Sequence, residues 1–455
     1  MTHAHPLDVT PEPEGAGDAD AGGRRGPHPA VLVTICFLLH ALPFLSRPAL
    51  IGGDEPHYAL MAHAMAVDRT LDLEAAYRRV EAGSPEAGRK AAGRRLERHL
   101  ATSGSRQVFI HPLGLPALAA PLVALLAAVA PGAPPDLALG GLTLTVTFLA
   151  LLAGWELMAR LFGNPKDATI VTFAVYFSTP LWYYSRTFFT EPYVWAFLVL
   201  GIWCIARSRW ILASLLLGLA CVMKETAVLL ALPVVAYVWR RHGFGRVAAL
   251  SPFPLVFATA YLVKNWLVYG QPLVTFQPYR IGDPLTGAVG ALFDFRHGLL
   301  PFAPVLVLAF VGWAGLRPKR SFLDDPGSLA LAAFLLWFVV TASWVDWRGG
   351  SCFGPRLMAP AIITAALPLC RYWEHCAAKP AWRAAFYVLV VLGFAVQWRA
   401  VTQPFAAFWG ISVHRLLAGA PISTVAGLLL GGFLIRLAPR FVMRTFAPAR
   451  SAVRS

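Results

Sequence analysis

Long apolar runs separated by short polar connections set the pattern of this chain. Mostly apolar stretches lie near residues 30–48, 112–131, 137–158, 168–184, 191–206, 210–239, 247–266, 298–316, 329–345, 358–370, 383–400 and 421–437; the 210–239 stretch also reads as a short hairpin around Lys224. A helix needs roughly 20 such residues to cross a hydrocarbon core of about 30 Å. The pattern predicts an all-α polytopic membrane protein of about 11–13 transmembrane helices, with no second soluble domain. The stretch before the first run is rich in Pro, Gly, Ala and acids and buries too little apolar surface to fold alone. Residues 1–29 are thus expected to form a disordered cytoplasmic tail, 30–440 the membrane-embedded domain and 441–455 a basic C-terminal tail. The first span shows no small-residue cleavage site and is expected to stay as a signal anchor.

Composition supports the membrane class: 57% of residues are hydrophobic and 14% charged, where soluble proteins carry about a quarter charged residues. Arg24 and Arg25 precede the first span, and "WRRHGFGR" (239–246), "RPKR" (317–320) and "KPAWR" (379–383) lie between later ones. The positive-inside rule assigns these to the cytoplasm. The outward segments are then "GGDEPHY" through residue 110, "SRTFFTEP" (185–192), the Lys224 region, residues 265–284 with "FDFRHG" (293–298), and "DWRGGSCFGPR" (346–356). If 112–131 and 137–158 both cross fully, "RLFGNPKD" (160–167) falls outside and the later alternation fails, so one of the two is expected to be partial or re-entrant.

The net charge of +15 is spread over both sides, which points to membrane lipid phosphate as a partner. Nucleic acid is disfavoured, because no soluble domain carries a basic face. Cys36, Cys204, Cys221 and Cys370 sit in or beside apolar spans, Cys376 in an inner loop and Cys352 in an outer one. With no CxxC pair, the cysteines indicate neither a zinc site nor a disulfide framework.

The first outward loop, 49–110, is far longer than an ordinary connection, and such loops usually carry function. Within it Tyr58, Met61 and Met65 recur at helical spacing, which suits either a helix lying along the membrane surface or a buried helix face. Asp54 and Glu55 open that helix. Asp54 with Pro56 makes a good N-cap, yet ionisable groups at membrane depth are functional candidates by default. A carboxylate there could take a proton from a hydroxyl.

"DEPHY" after a first span and before a long outer loop resembles the polytopic GT-C glycosyltransferases, in particular the protein O-mannosyltransferase and aminoarabinose transferase superfamily. "HPLGLP" (111–116), "RLFG" (160–163), "SRTFFTEP", "FDFRHGLLPFAPVLVL" (293–308) and "WRGGSCFGPRLMAP" (347–360) resemble further stretches of that group, so the likeness runs from residue 30 to about 400. It implies inverting transfer of a sugar from a polyprenyl-phosphate donor to an acceptor hydroxyl on a lipid, glycan or protein. In that scheme Asp54 activates the acceptor and Glu55 supports it. The active site would face outward from an integral membrane protein, in the inner membrane if the source is bacterial. No cofactor is required, and a divalent cation is left open.

The leaving phosphate needs cations, and Arg186, Lys224, Arg296, Arg348 and Arg356 stand in outward segments. For each the alternative is a snorkelling side chain at a helix end. Gly354 and Pro355 should shape a turn that fixes the direction of Arg356. His111 stands where some relatives have lysine. Glu191 returns an acid to the same face, although "TEP" also starts a helix. His57 and Tyr58 complete the set of candidate binding residues, with a structural role for the histidine as the alternative. Asp54, Glu55, His57 and Glu191 also offer donors that suit divalent ions. The aromatics near 182–195 and 261–279 read as an interfacial belt. The rival class, a transporter or lipid-linked sugar flippase, would often show repeats with matching broken helices, and the sequence shows no convincing repeat.

Overall fold

A computed structural model describes residues 29–46, 52–103, 106–273, 280–315, 322–350, 352–376, 378–402 and 411–446. The N-terminal tail up to residue 28, the "RPKR" segment and residues 447–455 lie outside the described residues. Among the described residues the structure is predominantly helical. It opens with α1 (Pro29–Ser46), then a long loop that contains α2 (Glu55–His63), α3 (Glu74–Glu81) and a small antiparallel hairpin of β1 (Leu100–Ser103) and β2 (Arg106–Phe109). The bundle follows: α4 (Gly114–Val129), α5 (Asp136–Phe162), α6 (Pro165–Phe177), α7 (Pro180–Tyr184), α8 (Thr190–Ala206), α9 (Trp210–Met223), α10 (Val228–His242), α11 (Phe244–Leu250) and α12 (Pro252–Tyr269). It continues with α13 (Pro284–Phe293), α14 (Leu299–Phe302), α15 (Leu306–Ala314), α16 (Pro326–Ser343), α17 (Ala366–Cys376), α18 (Pro380–Val401), α19 (Val413–Ala418) and α20 (Pro421–Phe446).

Among the described residues four helices are long and apolar enough to cross a membrane alone: α5, α16, α18 and α20. The bent pair α11 and α12 makes a fifth if read as one span. The other runs build shorter or broken helices. The 210–239 run breaks at Lys224 into α9, one turn of 3₁₀ helix and α10, and the 358–370 run begins as 3₁₀ helix from Arg356 to Ala365.

The 112–131 run forms α4, and the 137–158 run lies within the longer α5. The 16 residues of α4 reach about 24 Å, and both of its ends lie against the long first loop. Just before it, His111 contacts His99, and just after it the Asp136 carboxylate accepts the backbone N–H of Arg89 at 2.9 Å. The helix packs along α2 and stays on the loop's side of the bundle. "RLFGNPKD" then joins the end opposite the loop. There Trp373 donates to Asp167 at 2.8 Å, Arg240 pairs with Asp324 at 3.2 Å and Arg371 with Asp325 at 2.6 Å.

Helix starts follow local chemistry. Asn164, Asp283 and Asp325 each precede a proline and cap α6, α13 and α16 by accepting backbone N–H groups. One open reading is decided and one changes. The α2 helix is buried on all sides rather than laid on a surface, with Tyr58, Leu60 and Met61 inside. The aromatics at 182–195 are core, not belt: Trp182, Tyr183, Tyr184, Tyr193 and Trp195 are buried within the bundle, where aromatic edges and faces pack with directional preference.

Candidate active site

The site forms where the first loop meets the ends of α8, α9 and the 3₁₀ segment after Gly354. Gly53 has φ +60, a left-handed turn that glycine adopts without strain, and an added Cβ would lie 3.3 Å from the Phe189 ring. That turn delivers Asp54. The residue occupies the N-cap position of α2 but makes no side-chain cap bond; its carboxylate reaches away and pairs with Arg356 at 2.5 Å. Arg356 is aimed by Gly354, whose φ is +55 and whose missing Cβ leaves room for the Phe302 ring.

From this pair a chain of charges extends. Arg356 Nε lies 3.3 Å from Glu191, and Lys224 Nζ donates to the same Glu191 oxygen at 2.9 Å. Glu191 is 0% exposed, and a carboxylate that deep needs partnered cations to offset its lost hydration. On the other side of Asp54 lie His99 at 3.8 Å and His111 at 3.9 Å, with the two rings 2.8 Å apart at their facing nitrogens. His57 stacks on His99 and its Nδ1 shares a 2.6 Å hydrogen bond with the Tyr77 hydroxyl. Tyr58 packs its ring against His111, Phe109 and Phe188.

Burial alone would raise the Asp54 carboxyl, but the Arg356 guanidinium and the His111 and His99 rings outweigh it and hold it well below the usual carboxylate range. Burial pushes His57 down to about 3 and His111 down to about 4, and lowers His99. The acid is therefore ionised at neutral pH and the three rings are neutral.

Beside this cluster lies a cavity of about 390 Å³. His111 belongs to both. Lys224, Glu225, Tyr261, Lys264, Tyr269, Trp337 and Trp344 are among its other lining residues, giving two cations and an acid on a wall that is otherwise aromatic and aliphatic.

The structure thus brings together Asp54, His57, Tyr58, His111, Glu191, Lys224 and Arg356. It does not bring the other candidates. Glu55 is fully buried with its oxygens accepting the backbone N–H groups of Phe188 at 2.7 Å and Gly52 at 3.2 Å, so it ties the loop down rather than facing a substrate. Arg186 is buried, donates to the Pro43 carbonyl at 3.1 Å and lies over the Tyr183 ring. Arg296 is exposed at a turn where its backbone N–H reaches Asp294, and Arg348 is exposed over the Trp347 ring. The metal donors regroup as well: Glu55 and Glu191 are engaged elsewhere, and the grouped donors are Asp54, His99 and His111. His99 and Lys264 were missed by sequence reasoning. A signal for His99 exists, since two short runs around Ser-Gly-Ser read as a hairpin whose open end is flanked by His99 and His111.

No family model matches the chain, and no curated protein matches it in sequence. Among solved structures, ArnT from Cupriavidus metallidurans, bound to undecaprenyl phosphate, aligns over 91% of this chain and 77% of its own with a TM-score of 0.51 at 15% identity. That likeness shows the fold: the chain shares the helical architecture of ArnT, and its long apolar helices are those of an integral membrane protein.

Proposed function

We propose that this protein is an inverting glycosyltransferase that moves a sugar from a polyprenyl-phosphate donor to an acceptor hydroxyl. The observation that carries this reading is the position of an ionised, arginine-paired carboxylate, Asp54, beside a cavity walled by Lys224 and Lys264. A lipid phosphate has the charge to occupy such a wall, and the fold neighbour was crystallised with undecaprenyl phosphate.

In this mechanism the acceptor oxygen attacks the anomeric carbon from the face opposite the phosphate. The bond from that carbon to the phosphate oxygen breaks, and polyprenyl phosphate leaves with the electron pair. Asp54 takes the hydroxyl proton, and Lys224, Lys264 and Arg356 offset the charge on the departing phosphate. At rest Arg356 keeps Asp54 too weak a base. When the donor phosphate draws Arg356 toward itself, the carboxylate regains basicity, which couples donor binding to acceptor activation.

The basic loop 239–246 and the Arg371 end lie opposite Asp54. With the positive-inside rule, this supports an active site that faces outward, from the inner membrane in a bacterium. The test is to incubate purified protein with a polyprenyl-phosphate sugar and an acceptor extract and to measure released polyprenyl phosphate by mass spectrometry. Release that disappears in Asp54→Asn supports transfer. No release across a panel of donors, with labelled lipid-linked sugar moving between vesicle leaflets instead, overturns it in favour of a flippase.

A further inference from the structure

We infer that Asp54, His99 and His111 form a binding site for a borderline divalent cation of the zinc type. The three facing atoms are Asp54 Oδ1, His99 Nδ1 and His111 Nε2, separated by 3.8, 3.9 and 2.8 Å. A triangle with those sides has its centre about 2.1 Å from every corner, which matches zinc bonds of about 2.0–2.2 Å to imidazole nitrogen and carboxylate oxygen. A tetrahedral face around the ion needs all three separations near about 3.3–3.4 Å, so the histidine nitrogens would open by about 0.5 Å and Asp54 Oδ1 would close on them by a similar amount.

The donors are in the right chemical state. Burial keeps both rings neutral at pH 7, so each can present a lone pair, and Asp54 is an anion. In the absence of an ion, one neutral ring donates its N–H to the lone pair of the other, which accounts for their close approach; for both facing nitrogens to bind a metal, that proton moves to the opposite nitrogen of its own ring. Arg356 does not block the site, because it holds the other carboxylate oxygen, Oδ2, while Glu191 balances its charge.

Orientation is built in around the donors. Stacking on His57 fixes the plane of His99, with ring centroids 3.8 Å apart, and the Tyr77 hydroxyl accepts the His99 backbone N–H at 3.3 Å while bonding His57. Outer partners of this kind hold metal-binding rings in place. His111 also lines the cavity, which gives an ion a route in and leaves a fourth position for a hydroxyl or water. Ion and acceptor proton would use the same Oδ1, so metal occupancy and use of Asp54 as base are alternatives. The binding claim itself stands apart from the transfer reading.

The test uses the full chain, purified in detergent and stripped with chelator. Zn²⁺ titration should give one equivalent per chain, and Co²⁺ should give the intense visible band of tetrahedral coordination. His99→Ala and His111→Ala should each weaken binding by at least about 100-fold, whereas His63→Ala, which removes a ring near Asp68 and Glu86, should not. X-ray absorption at the zinc edge of the wild-type protein gives a second measurement independent of any variant's folding, and two imidazoles at about 2.0–2.1 Å are expected. Absence of binding in the wild type, binding unchanged in both histidine variants, loss in His63→Ala, or an edge spectrum without imidazole overturns the inference. None of these results bears on polyprenyl phosphate release, so the two readings fail separately.

Discussion

Arg356 holds Asp54 at 2.5 Å across 302 residues of sequence. Because the partner is an arginine and not the first turn of α2, asparagine at position 54 cannot reproduce the contact. Asp54→Asn should lose transfer by about 10²- to 10⁴-fold through removal of the base. It should also lower stability by roughly 1–3 kcal/mol, since a mostly buried cation is left with half its charge partners. The double variant Asp54→Asn/Arg356→Gln separates the two effects. Its thermal midpoint should recover most of the loss while its activity stays absent. Recovery of activity would mean that Asp54 serves only to neutralise Arg356.

The arginines give a second test because the structure sorts them. Arg356→Gln removes the only arginine in the described charge chain, and transfer should fall by about 10²- to 10³-fold, the scale of losing one donor to developing charge. Arg296→Gln and Arg348→Gln, both exposed and outside the chain, should change turnover less than about threefold, within the small effects of surface substitutions. Steady-state rates with saturating donor check this, and a large loss in Arg348→Gln would move the phosphate site toward Trp347.

The apolar spans were legible because crossing a membrane demands long helical runs, and Asp54, Glu191, Lys224 and Arg356 stood out as charges at the ends of such runs. Their pairing was not legible, since it depends on helix ends hundreds of residues apart meeting in space. Asp54 and Glu55 could not be ranked from sequence either. Adjacent side chains on a helix start point about 100° apart, so one faces the cavity side and the other the backbone of Phe188. His99 was hidden inside "GRRLERHL", where a run of charge reads as a solvated face. Only the β1–β2 hairpin carries it back to His111.

The buried rings predict a pH dependence. His57 and His111 titrate in the folded protein near 3 and 4, and His99 is lowered too, against 6.5 when exposed. Between those values the unfolded chain binds protons that the folded one refuses, so stability rises with pH through this window and is lost as pH falls from about 6.5 toward 4. Asp54, shifted downward, keeps its contribution until the pH drops below the ordinary carboxylate range and so does not mask the effect. The thermal midpoint should fall steadily on acidification from pH 7 to 4.5, and His57→Gln should flatten the slope. A slope identical to that of the wild type would show that this ring stays accessible to protons.

The cavity gives the last test, which separates donor binding from chemistry. Lys224 is bound to Glu191 at 2.9 Å, whereas Lys264 lies between the Tyr261 and Tyr269 rings at 5.0 and 4.9 Å. Lys264 also feels the Glu225 carboxylate in the same wall, but it gives up no ion pair as close as the one Lys224 must loosen to meet an incoming phosphate. A charge-assisted hydrogen bond contributes about 1.5–3 kcal/mol, so Lys264→Met should raise the KM for the polyprenyl-phosphate donor by about 10- to 100-fold and also lower kcat, because the same charge offsets the departing phosphate. Lys224→Met should do more harm than that, because Glu191 keeps only Arg356 and pulls it from Asp54, lowering kcat together with donor affinity. Binding of polyprenyl phosphate alone, followed by its protection against thermal unfolding, reads the affinity without turnover. If Lys264→Met binds the lipid phosphate as tightly as the wild type, the phosphate does not sit in this cavity, and Arg186 becomes the cation to examine next.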